Sequence, residues 1–86
     1  MAATIREQQA LWVLRAQCDD REALGLLLES IQSPLHHYLR SLVGPDGADD
    51  VLQNVLVLIF RKLVFLEDPL LFRPWAFRIA SRAAFR

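Results

Sequence analysis

The stretch ADDVLQNVLVLIFRKL, Ala48 to Leu63, decides the reading of this chain. At about 100° per residue, Leu52, Val55, Leu56, Ile59 and Leu63 gather on one side, the expected core face of an amphipathic helix. The other side holds Asp50, Gln53, Asn54 and Arg61, with Val57 in their midst and Phe60 at the edge. A purely solvated face has no use for Val57 and Phe60. A few apolar anchors ringed by hydrogen-bonding groups suit a partner surface. The plain alternative is a slightly apolar surface on an ordinary bundle.

The same period runs in both directions from this helix. Downstream, Val64 to Leu71 reads as a connection, with Asp68-Pro69 as a turn or helix start. Glu67 and Asp68 suit caps for the next helix. A last helix covers at least Pro74 to Phe85. Ala76, Ala80, Ala83 and Ala84 share one side and permit close packing. Arg78, Arg82 and Arg86 recur every four residues on the other, with Trp75 among them. Arginine and aromatic groups on one face can hold phosphates and stack on bases; a solvated basic face is the plain reading, and Trp75 also suits a core anchor. Phe60, Phe72 and Phe77 are assigned mainly to the core.

Upstream, Gly44-Pro45-Asp46-Gly47 reads as a turn. Before it, a helix from about Arg21 to Val43 carries an apolar stripe of Leu24, Leu27, Leu28, Ile31, Leu35, Tyr38, Leu39 and Leu42, with a kink expected at Pro34. Asp19 and Asp20 are good caps for it. The first helix runs from about Thr4 to Cys18, with Leu11, Leu14 and Cys18 at helical spacing. The expected fold is all-α: one compact domain, residues 1–86, of about four helices and no sheet.

Composition agrees. A chain of 86 residues is one small domain, and 53% hydrophobic residues exclude a disordered segment. Zero formal net charge argues against a generic polyelectrolyte binder. The charge is unevenly laid out, however. Residues 72–86 hold four arginines and no acid, while residues 1–71 hold six basic and ten acidic groups. An acidic body with a basic end resists non-specific DNA binding but lets one face approach phosphates. A single cysteine, Cys18, excludes an internal disulfide. The first ten residues lack the apolar block of a signal peptide, and the longest apolar run, Val55 to Phe60, is far short of a membrane span. A cytoplasmic location is expected.

Catalytic patterns are missing: there is no phosphate-binding Gly-rich loop, HExxH, CxxC or nucleophile elbow. His36 and His37 point about 100° apart on a helix, so one metal ion does not easily use both. Cys18 reads as a small apolar residue at a helix end. No enzyme activity, metal or cofactor is expected.

Four segments then resemble one family. Asp20-Arg21-Glu22-Ala23-Leu24 resembles D-R-E-A-F, and Pro34-Leu35-His36-His37-Tyr38-Leu39-Arg40 resembles P-L-Y-R-Y-L-R. Asp49-Asp50-Val51-Leu52-Gln53-Asn54-Val55 resembles E-D-V-L-Q-E-V, and Phe72-Arg73-Pro74-Trp75-Ala76-Phe77-Arg78-Ile79-Ala80 resembles F-R-A-W-L-Y-R-I-A. In this order and spacing, over about 70 residues, they are similar to region 2 of bacterial RNA polymerase sigma factors of the extracytoplasmic-function (ECF) group. The resemblance implies transcription initiation through binding, without catalysis. Asp50, Gln53, Asn54, Val57 and Arg61 would dock on the clamp coiled coil of the polymerase β′ subunit. Phe65, Leu66, Glu67 and Asp68 would receive a base flipped from the promoter −10 element, on its non-template strand. Arg73, Trp75, Arg78 and Arg82 would part the strands and grip the DNA. An anti-sigma factor is a further implied partner.

The match departs from the family at Asn54 and Leu58, where an acid and a base are usual, and at Pro74 and Arg82, where alanine and asparagine are common. The family continues into a −35-reading domain, which is not expected within this chain. Two rivals stand beside the resemblance. One is a helical interaction module or decoy that keeps the bundle without promoter activity. The other is a small metal- or thiol-based enzyme, for which no ligand set is visible.

Overall fold

The computed structural model describes residues 2–85; Arg86, the last member of the expected arginine stripe, lies outside them. Four helices form: α1 (Ile5–Gln17), α2 (Arg21–Val43), α3 (Pro45–Lys62) and α4 (Phe72–Ala84). Two 3-10 turns, Leu63–Phe65 and Pro69–Leu71, join α3 to α4, and no strand occurs among the described residues. The all-α fold is as expected.

Local chemistry sets each boundary. Thr4 starts α1 with a capping box: its hydroxyl accepts from the Glu7 N–H, and the Glu7 carboxylate accepts from the Thr4 N–H. At the other end Asp19 takes a positive φ of 68°, a conformation that aspartate tolerates better than most residues. Its N–H donates to the Ala16 carbonyl and that of Asp20 to the Arg15 carbonyl, closing α1 with a Schellman motif. Asp20 at once starts α2, its carboxylate accepting from the Ala23 N–H. Arg15 reaches the same carboxylate at 2.8 Å. The Ala23 N–H first, and Arg15 second, hold the Asp20 carboxyl below its ordinary range.

Helix α2 runs through Pro34 without interruption. Gly44 ends it at φ 82°, a value that excludes most side chains, and Pro45 opens α3 directly. The expected Gly44–Gly47 turn thus shrinks to one residue, and α3 starts three residues before Ala48. Proline at the first helical position loses no hydrogen bond, because that N–H has no partner inside a helix.

The core is formed by Leu27, Ile31, Leu35 and Leu39 of α2, Val55 and Ile59 of α3, Val13 of α1, and Phe72, Ala76 and Ala80 of α4. Burying each leucine, isoleucine or phenylalanine side chain contributes roughly 1.5–3 kcal/mol. Leu24, Leu28, Tyr38, Leu52 and Leu56 pack half-buried around it. The alanines let α4 lie close, as its spacing implied. The Tyr38 and Phe77 rings meet at 5.1 Å, and the Tyr38 hydroxyl lies 2.6 Å from Ser81 Oγ. His36 Nε2 lies 2.8 Å from Asp49 Oδ1, linking α2 to α3 on the outside.

The first helix does not bury the leucines that marked its period. Leu11 and Leu14 are 52% and 50% exposed, and Cys18 is exposed too. The buried side of α1 is instead Gln9, Ala10 and Val13. Hydrogen bonding explains part of the choice. Gln17 Nε2 donates to the Leu63 and Leu66 carbonyls, both at 2.9 Å, where the chain leaves α3. Gln9 Nε2 donates to Ser30 Oγ on α2. Turning Leu11 and Leu14 inward would carry both glutamines away from these partners.

Candidate functional site

Asp50, Gln53, Asn54, Val57 and Arg61 all lie exposed on the side of α3 away from Val55 and Ile59. They share a face because residues three, four, seven and eleven apart return to nearly the same azimuth at about 100° per residue. Val57 is 47% exposed within this face. Phe60, set at the edge of this face but assigned mainly to the core, is 57% exposed. Its azimuth lies within about 20° of Gln53, so it turns outward with the polar residues. Val64 continues the apolar strip beyond the helix end and is also exposed. The helical azimuth had already set Phe60 at the edge of this face, whereas Val64 was read only as the start of the connection.

The connection after α3 splits the four residues expected to form one pocket. Phe65 is 77% exposed and Glu67 is exposed, but Leu66 is buried in the core. The 3-10 turn Leu63–Phe65 rotates Leu66 inward, and its carbonyl accepts from Gln17. Leu66 therefore supports this segment from below and offers no side chain to a ligand. Asp68 Oδ1 accepts from the Leu70 N–H at 3.1 Å, so Asp68 caps the second turn.

On α4, Arg78 and Arg82 are exposed and lie along the outer side. Trp75 is half-buried at the edge of that side, 6.1 Å from the Phe72 ring, so it both anchors the helix and leaves part of its indole accessible. Arg73 stands apart from them. Its guanidinium lies over the Phe77 ring at 5.3 Å, on the flank where Phe77 meets Tyr38 of α2. Its azimuth differs from that of Arg78 by about 140°. The expected group of cations is therefore two groups. Leu58, where the resemblance departs from a basic residue, is half-buried against the core and lies off the exposed α3 face.

No helix of the described residues is long and apolar enough to cross a membrane. Comparison with family models, curated proteins and solved structures returns no match to this chain.

Proposed function

We propose that this chain is a sigma-type region 2 domain, which binds RNA polymerase core and recognises and melts the promoter −10 element. The observation that carries the reading is the outer face of α3. Asp50, Gln53 and Asn54, from the segment that resembles the family's most distinctive stretch, are exposed together there, and Val57 and Phe60 lie bare among them. Apolar anchors within a polar ring are the arrangement that concentrates binding energy in an interface. The resemblance names the partner: the β′ clamp coiled coil.

The DNA-facing part of the reading rests on Phe65, Trp75, Arg78 and Arg82. A flipped base needs an aromatic or apolar surface to replace its stacking, and exposed Phe65 offers one. Arg78 and Arg82 suit phosphates of the displaced strand. Glu67 is exposed two residues along from Phe65, whereas Asp68 and Leu66 act on the loop itself. Arg73 belongs to a second approach, beside Phe77. The domain acts by binding, without catalysis, metal or cofactor, in the cytoplasm with the polymerase, and an anti-sigma factor would compete for its faces.

The test is binding to purified bacterial core polymerase, with Gln53→Ala as the paired variant. Truncating a central contact is expected to weaken binding by about 1–3 kcal/mol. Unchanged affinity would remove α3 from the interface. Core binding without any binding to single-stranded −10 DNA would make the domain a decoy.

A further inference from the structure

We propose that the groove between α1 and the Pro69–Leu71 turn is a second protein-docking site, which takes a basic amphipathic helix from a partner. The groove holds about 460 Å³ and lies on the side of the molecule formed by α1, with Leu11 and Leu14 on one wall and Leu70 on the other. Ala10 lies among its lining residues, and Ile5, 64% exposed, extends the apolar surface along α1. Nothing among the described residues covers these side chains.

The walls are tied in place. Arg6 Nε donates to the Leu70 carbonyl at 3.1 Å and joins α1 to the turn. The Thr4–Glu7 capping box and the Asp68 cap fix the backbone at each side. A groove held in this way loses little freedom on binding.

Charge selects the occupant. The two charged residues that line the groove are Glu7 and Asp68, both carboxylates. Each uses one oxygen as a cap, on Thr4 and on Leu70, and its second oxygen has no partner among the described residues. Arg6, engaged on the Leu70 carbonyl, stands beside these two carboxylates and leaves the rim net acidic, so an apolar row with this rim fits aliphatic side chains flanked by lysine or arginine better than nucleic acid or anionic lipid. The floor runs along a helix and no strand edge is exposed, so the fitting segment is a helix laid along α1. The site is separate from the α3 and α4 faces, and its test does not depend on polymerase binding.

The probe is a fluorescein-labelled peptide of about 18 residues, long enough to turn helical on docking, with leucine and lysine at helical spacing. Its anisotropy is read against the folded chain. The expected result is saturable binding that weakens about tenfold when glutamate replaces the lysines, and about tenfold in the Leu11→Ser, Leu14→Ser double variant. Both leucines are exposed, so this variant keeps its circular dichroism spectrum. Arg78→Ala leaves the binding unchanged. Equal binding by the double variant, equal binding of the glutamate peptide, or no saturable binding overturns the proposal. So does a dimer in sedimentation that the double variant dissolves, since a second copy would then occupy the groove.

Discussion

Helices α1 and α3 both carry large apolar residues on opposite sides, and they resolve the competition differently. On α3 the buried side takes Val55 and Ile59, and Val57 and Phe60 stay outside. On α1 the buried side takes Gln9, Ala10 and Val13, and Leu11 and Leu14 stay outside. Helix α3 is enclosed by α2 and α4, so large side chains fill the space and its inner face follows the hydrophobic period. Helix α1 closes over α2 and over the end of α3, where backbone carbonyls need donors. Gln17 supplies two such bonds, which a leucine could not, and Gln9 ties α1 to the Ser30 hydroxyl of α2. An exposed apolar side chain thus arises in two ways: as surplus on a helix whose core is already full, or by displacement through polar requirements.

The sharpest way to break this contrast is to cut the two helices alike. Ile59→Ala is expected to destabilise the domain by about 2–5 kcal/mol in urea unfolding. Gln17→Ala comes next, at roughly 1–3 kcal/mol, because the Leu66 carbonyl loses its side-chain donor and the Leu63 carbonyl keeps only the Leu66 N–H. Hydrogen exchange should rise in the segment between α3 and α4 in that variant. If Gln17→Ala is silent, polar satisfaction did not orient α1.

A smaller effect concerns the outer faces. Arg78→Ala with Arg82→Ala should flatten the salt dependence of single-stranded DNA binding by at most about two phosphate contacts. Arg73→Ala, on its separate flank, should leave that slope nearer to the parent value. Equal changes would merge the two groups of cations.

At the α1–α2 corner the effect depends on pH. Asp20 has its carboxyl lowered by the Ala23 N–H and by Arg15. Its contribution is complete above the ordinary carboxylate value of 3.8 and is lost as the pH falls through the lowered value. Thermal melts of Asp20→Asn should therefore fall less steeply with acid than those of the parent. Identical acid profiles would mean that Asp20 acts only as a neutral cap. The least effect is expected from Leu14→Ala, within about 0.5 kcal/mol, as for an exposed site. A cost approaching that of Ile59→Ala would mean that α1 faces the other way.

Much of this was legible in the chain. The stripe of α2 from Leu27 to Leu39, the inner side of α3 and the alanine side of α4 follow the helical period, because in each case large or small apolar residues dominate one side. The Asp20 cap was legible as well, since a cap is a local matter of one carboxylate and one N–H. Leu66 was not: which of Phe65, Leu66 and Glu67 turns inward depends on a 3-10 rotation that the spacing does not encode. Phe60 was legible in part: its azimuth set it at the edge of the outer face, although it was assigned mainly to the core.

Four helical segments, the Asp20 cap, and the polar and apolar groups that share a face of α3 follow from the sequence alone, because these depend on neighbours within a few residues along one chain. Only packing decides which side of α1 is buried, that Leu66 is a core residue, and that Phe77, beneath the Arg73 guanidinium, meets Tyr38. Each of these depends on groups brought together from distant positions: Gln17 with Leu63 and Leu66, Gln9 with Ser30, Phe77 with Tyr38. Their hydrogen bonds and ring contacts exist only once the helices have packed.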